Sequence, residues 1–281
     1  MKKWTTILAV AALSLGLAAC DEKAAPVENT EVAKKSDLTL QQVYEKSIAV
    51  SEELKSVQAV VDMKQKMHMP DQGMDLDVSS SMDMEYVIEP LQIHQKGTTS
   101  MNGIAEDLPA EAMNMESYIT KDAFYMYEES TGQWMKFPQE MMGQLMDSMG
   151  QTDPSEQLKQ IEDYLDDFTF KQDNENYILT LSASGEKFTD LVKAQVDEVL
   201  QTIGEGEEIQ MDFVINSVNY LIHIDKETFQ TNKVDVLMDM DMEVNGEKMS
   251  IKQDIKSDFS KFNEVKEIVI PQEVIDNAIE I

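Results

Sequence analysis

The sequence predicts an α+β fold, an antiparallel sheet of long strands with helices gathered on one of its faces. Three observations carry this. Two separate stretches of the chain alternate apolar and polar residues over ten or more positions, which only a half-buried strand requires. Turn signals, Pro70-Asp71-Gln72-Gly73 and Asn245-Gly246, sit where those stretches double back. Helical spacing is confined to an opening segment and a later insertion, and helices grouped on an antiparallel sheet are the α+β solution.

The chain of 281 residues begins Met1-Lys2-Lys3, followed by an apolar run from Trp4 to Leu17 and then Ala18-Ala19-Cys20. A basic start, a short apolar stretch and small residues before a cut site read as a signal peptide over 1–19, too short and wrongly flanked to span a membrane. The Leu17-Ala18-Ala19-Cys20 tetrad resembles the bacterial lipobox. That resemblance implies a diacylglycerol on the Cys20 thiol and cleavage leaving Cys20 as the first residue. Two acyl chains would hold the protein stably on the outer face of the cytoplasmic membrane. Cys20 is the only cysteine, so the exported part folds without a disulfide. Residues 20–37 are poor in apolar side chains and read as a lipidated cysteine with a flexible tether.

The remainder, 38–281, reads as a single domain. Thr39 to Ser56 carries Leu40, Val43, Tyr44 and Ile48 at helical spacing behind a Thr39 or Ser36-Asp37 cap. Val57 to Met69 and Met74 to Ile88 then alternate as a hairpin, and a third strand begins at Leu91. Shorter strands are expected at Met115–Ile119, Ala123–Tyr127 and Gln133–Phe137. Prolines in the first turn mark helices at Pro138–Met149 and Pro154–Leu165, and Glu186–Ile203 repeats apolar residues at helical spacing before Gly204. Together these make a helical insertion over about 138–203. Met211 to Asp225 is a strand apolar on both faces near its middle. Val234 to Val244 and Lys248 to Phe259 form a last hairpin, with acids facing lysines on its wet side.

A lipobox, an opening helix, long antiparallel strands and inserted helices together look like bacterial lipoprotein carriers of the Lol type and glycolipid-carrying envelope lipoproteins. Ser117 to Met126 with Trp134-Met135-Lys136, the Ile224-Asp225-Lys226-Glu227-Thr228 turn and the closing Ile268-Val269-Ile270-Pro271 look like uncharacterised lipoproteins of spore-forming Gram-positive bacteria. The resemblance implies a curved antiparallel β half-barrel with helices packed on its concave face, where an acyl chain or other apolar ligand is held.

Methionine is abundant, with 21 in the chain, and several sit two apart: Met67 and Met69, Met82 and Met84, Met238, Met240 and Met242. In strands such residues share a face. They could be plain core, the pliable lining of a ligand cavity, or soft ligands for Cu(I). His68 falls between Met67 and Met69 but on the opposite face, which weakens the copper reading. With Tyr86, these seven methionines form the expected ligand-binding set, and no other metal site is expected.

Acidic residues number 54 against 23 basic ones, so the chain should repel nucleic acid and suits a cation-rich envelope. Asp241-Met-Glu243-Val-Asn245-Gly246 imitates the start of a calcium loop, but Lys252 stands where a bidentate glutamate is needed, and a hairpin fits better. His68, His94 and His223 are scattered, and no nucleophile elbow, phosphate loop or dinucleotide fingerprint is present. The expectation is a non-enzyme without a cofactor. Its partners would be the membrane, a lipid or apolar small molecule, and an envelope protein if the fold serves instead as an interaction or stress-sensing module.

Overall fold

The computed structural model describes residues 23–28, 31–103, 112–138, 162–184, 189 and 211–280. The signal peptide, Cys20 and most of the expected helical insertion lie outside these residues, and within the insertion Phe168–Gln172 and Asn176–Ser184 are strands rather than helix. From the insertion the structure describes a 3-10 turn, Glu162–Asp167, at the end of the second expected helix.

Among the described residues the fold is mostly β, one open sheet of thirteen strands with few helices. In chain order the strands are β1 (Ala25–Pro26), β2 (Ser56–Met69), β3 (Met74–Val87), β4 (Gln92–Asn102), β5 (Ala112–Thr120), β6 (Ala123–Glu128) and β7 (Gln133–Lys136). They continue with β8 (Phe168–Gln172), β9 (Asn176–Ser184), β10 (Met211–Asp225), β11 (Thr231–Val244), β12 (Glu247–Ser260) and β13 (Ile279–Glu280). Across the sheet the order is β1-β8-β9-β10-β11-β12-β2-β3-β4-β5-β6-β7-β13. Neighbours pair antiparallel except at the two edges, where β1 on β8 and β13 on β7 are parallel.

The expected hairpins form. Met69 faces Met74 across the Pro70–Gly73 turn, and Gly73 adopts φ +60° there. Val244 faces Glu247 around Asn245 (φ +52°) and Gly246 (φ +89°), a two-residue turn whose left-handed pair suits Asn-Gly. Helix α1 (Leu40–Glu52) starts at Thr39, whose hydroxyl accepts from the Gln42 amide while the Gln42 side chain accepts from the Thr39 amide, a capping box. Strands β8 and β9 were not expected, although Phe168 and Phe170, then Tyr177, Leu179 and Leu181, alternate in and out.

Directly opposed residues of paired strands share a face, so the register defines the two sides of the sheet. On one side α1 places Leu40, Val43 and Tyr44 against Phe170, Leu179, Leu181, Ile215, Ile222 and Ile224, the main core. A second helix, α2 (Gln272–Asn277), covers the other side at the β4–β7 end, where Val274 and Ile268 pack on Tyr118 and Tyr125. Of the helices expected on one face the structure describes α1, those of the insertion lie outside the described residues, and α2 is an addition on the other side. Tyr118, Tyr125 and Trp134 make the polar side of the sheet apolar at this end, and among the described residues the C-terminal segment buries it.

The expected tether is corrected as well. Ala24 is buried, β1 adds to the sheet edge, and the fully buried Gln172 side chain donates to the Ala24 carbonyl (2.6 Å) and accepts from the Ser36 amide (3.0 Å). Tyr177 donates to Ser36 Oγ (2.6 Å), and Lys23 pairs with Asp37 (2.7 Å). Composition marked this segment as unable to build a core of its own, but it needs none when the sheet edge supplies one.

Candidate functional site

Every methionine of the described strands falls on one side of the sheet, the side that carries α1. Met242 faces Met249, and Met69 faces Met74. In the next row Met240, Ile251, Met67 and Leu76 stand side by side across β11, β12, β2 and β3. Farther along, Met82 lies between Val61 and Gly97. Then Met84, Gln95, Ser117, Met126 and Met135 form a row across β3 to β7. Met63, Met101 and Met113 occupy the rows between. The opposite side carries Asp62, Lys64, Lys66, His68, Asp75, Asp77, Asp83, Lys96, Asp239, Lys252 and Lys256, all set by the same register.

All eight residues of the expected ligand set share this side, but they do not close into one pocket. Met67, Met69, Met240 and Met242 lie toward the β2–β3 and β11–β12 turns, with Met238 one row in. Met82, Met84 and Tyr86 lie in the other half of β3. The expected ligand set left out Met74 and Met249, although their alternation was visible, and Met101, Met126 and Met135, each alone in its strand and so part of no visible stripe.

None of these methionines is buried in the core; they are half-buried, and Met113 is 46% exposed. The core is built from Leu, Ile, Val, Phe and Tyr under α1. Gly97 makes room for one thioether: a Cβ there would sit 2.6 Å from Met82 Sδ and 2.0 Å from the Ser81 carbonyl. Some polar groups on this side are satisfied locally. Thr99 donates to Ser80 (3.1 Å), and Gln253 donates to Met63 Sδ (3.5 Å). Tyr86 has only a thioether acceptor, Met84 Sδ at 3.3 Å, and burial pushes its pKa up to about 12.

The polar side holds a groove of about 400 Å³ between β12, β2, β3, β4 and β5. Ser79, Ser81, Thr98 and Ser100 floor it, with Asp62, Lys64, Asp254 and Lys256 around them. Asp254 Oδ1 is buried there without a hydrogen-bond partner. Nearby, His94 stacks on Tyr118 at 4.4 Å, and its Nε2 lies 3.1 Å from Glu116, which also takes Lys96 at 3.3 Å. Burial alone would raise the Glu116 carboxyl, but hydrogen bonds from His94 and Lys96, the Lys96 charge and the Tyr118 hydroxyl hold it below its ordinary value.

Asp241, the first acid of the calcium-loop imitation, accepts from Ser250 (2.6 Å) and Asn216 (2.9 Å), and Asp239 just before it pairs with Lys252 (3.1 Å). Among the described residues no cluster of three or more His, Cys, Asp or Glu is placed to hold a metal ion. No described helix is long and apolar enough to cross a membrane.

Residues 39–279, the whole described domain apart from its N-terminal segment, match one family throughout. The chain belongs to DUF6612, a family of unknown function. No curated protein matches this DUF6612 chain. Among solved structures it is similar to a DUF1329 family protein from Desulfovibrio piger, at 12% identity over 79% of this chain and 91% of that one, with a TM-score of 0.21. It is also similar to a β-barrel-like protein of the domain of unknown function DUF1849 from Brucella abortus, at 11% identity over 74% and 98% of the two chains, with a TM-score of 0.18. Likenesses this slight assign no function to the DUF6612 chain.

Proposed function

We propose that this DUF6612 protein is a membrane-anchored envelope lipoprotein that holds a lipid or similar apolar ligand against its methionine side. The observation that carries the reading is the segregation of methionine. A core could take methionine anywhere, yet here the strand methionines all face one way and stand outside the buried core. Unbranched, polarisable side chains on a half-buried surface adapt to a flexible ligand better than they specify a core. At about 25 cal/mol per Å² of apolar area, covering part of one acyl chain supplies useful affinity. In this reading the methionine side is the concave side of the sheet, and Cys20 carries the acyl anchor on the outer face of the membrane.

Native mass spectrometry of the chain from Asp21 onward, purified from a bacterial envelope, tests the ligand. Co-purified lipid near one per chain, lost in a Met82→Glu, Met240→Glu variant that still folds, is the expected result. A clean unliganded mass that takes up no added lipid would sink the reading.

The polar groove favours a second reading, an interaction module for another envelope protein. Asp62, Lys64, Asp254 and Lys256 make no ion pair with one another although the register sets acid opposite lysine. Charges left unpaired around a hydroxyl floor suit a polar protein surface. Envelope cross-linking from a photoreactive residue at Ser79 tests it, and a single recurrent partner lost on reversing Lys64 and Lys256 would establish it.

A further inference from the structure

We propose that the ligand of the methionine side has an uncharged, hydrogen-bonding head group, received by Ser117 and Gln95 beside Tyr86. This rests on the apolar-ligand reading above and adds the chemistry of the other end of the molecule.

Ser117 lies on β5 in the row Met84, Gln95, Ser117, Met126, flanked on both sides by methionine strands. It is 3% exposed, and its hydroxyl has no hydrogen-bond partner. A buried hydroxyl without a partner is an unfavourable choice where alanine would fit. Gln95 stands directly opposite, near enough for the two side chains to serve one group. Its amide is half-buried and makes no side-chain hydrogen bond to another described residue. Tyr86, one row along on β3, spends its hydroxyl on a thioether, a weak acceptor it can leave for a better one. Elsewhere on this side the Ser80–Thr99 and Gln253–Met63 pairs are satisfied. Gln65 and Ser257 also face this side without a side-chain hydrogen bond to a described residue, but they are only half-buried, whereas Ser117 is the buried hydroxyl left without a partner here.

The head is uncharged because no lysine or histidine of the described central strands lies on this side to balance a charge. The register puts Lys64, Lys66, Lys96, Lys248, Lys252, Lys256, His68 and His94 on the opposite side of the central strands. A carboxylate or phosphate placed against Ser117 would lose its water and gain no counter-ion. An ester carbonyl or an alcohol loses far less. The serine hydroxyl and the Gln95 amide donate to a carbonyl, and the Gln95 oxygen accepts from a hydroxyl. A glyceride-type ester with a free hydroxyl satisfies all three.

The test compares a neutral monoacylglycerol with the free fatty acid of the same chain, each displacing a fluorescent apolar probe from the chain starting at Asp21 at neutral pH. The monoacylglycerol should bind at least tenfold more tightly. Ser117→Ala and Gln95→Leu should erase that preference while leaving the fatty acid unchanged. Without ligand, Ser117→Ala should melt no lower than the parent, since the hydroxyl serves no contact within the protein. Equal or tighter binding of the fatty acid overturns the proposal, as does a preference that survives both substitutions. If neither compound displaces the probe although the probe binds, the head-group assignment fails alone; if the probe does not bind either, the apolar-ligand reading fails with it.

Discussion

Gln172 joins the N-terminal segment to the sheet through one amide, donating to Ala24 and accepting from Ser36 in a fully buried setting. Each buried partner left unsatisfied costs about 1–3 kcal/mol. Gln172→Ala is expected to lower the unfolding free energy by about 2 kcal/mol or more and to expose the Val27 amide, read by denaturant titration and hydrogen exchange. Unchanged protection of Val27 would show that its bond to the Gln172 carbonyl (3.0 Å) suffices. Glu116 makes stability depend on acid. Its folded pKa lies below the ordinary 4.5, so its contribution is present above 4.5 and is lost as pH falls through the depressed value. The stability difference between the parent and Glu116→Gln should therefore shrink below that pH, and parallel curves would remove Glu116 as the cause. Tyr86 works in the opposite sense. Burial raises it from 10.0 to about 12, so its contribution is full below 10 and is lost as pH rises toward 12. Tyr86→Phe should flatten the alkaline decline in melting temperature.

At the scale of elements, two glycines show what a sequence displays and what it hides. Gly246 was legible, because Asn-Gly between alternating runs specifies its own turn through local backbone preference. Gly246→Ala, forced to φ +89°, should cost about 1 kcal/mol or more by thermal melting. Gly97 was not legible, because its role depends on the strand beside it. An added Cβ would meet the Ser81 carbonyl and Met82 Sδ, so Gly97→Ala should cost about 1–3 kcal/mol and loosen β4 from β3. A variant as stable as the parent would mean that β4 shifts freely. Strands β8 and β9 fall between these cases. Their alternation was present at Phe168, Phe170, Tyr177, Leu179 and Leu181, but runs this short do not separate from loop until β9 pairs with both β10 and β8.

For the whole molecule, the two chain ends seal the two edges of the open sheet. Each edge strand is two residues long and parallel to its neighbour, so little unpaired backbone is offered to other chains. The docking of Lys23 also bears on the proposed anchor. Lys23 is three positions from Cys20, a reach of about 10 Å, so an acylated Cys20 would hold the β8 edge close to the membrane. A fluorophore at Thr169, next to this edge, should transfer energy to labelled lipid head groups more strongly than one at Ser130 in the β6–β7 turn. Equal transfer from both positions would show a free tether instead.

By itself the sequence determined the alternation, and with it the long strands, the hairpin turns and the sorting of methionines from charges. Period two is a property of the strand and needs no neighbour to be read. The tertiary structure decided what those faces meet. It brought Ser117 beside Gln95, put α2 on the side opposite α1, drew residues 23–28 and 31–37 against the sheet edge and left the methionines outside the buried core. Each of these depends on contacts between segments far apart in the chain, through strand order and burial, which no local pattern encodes.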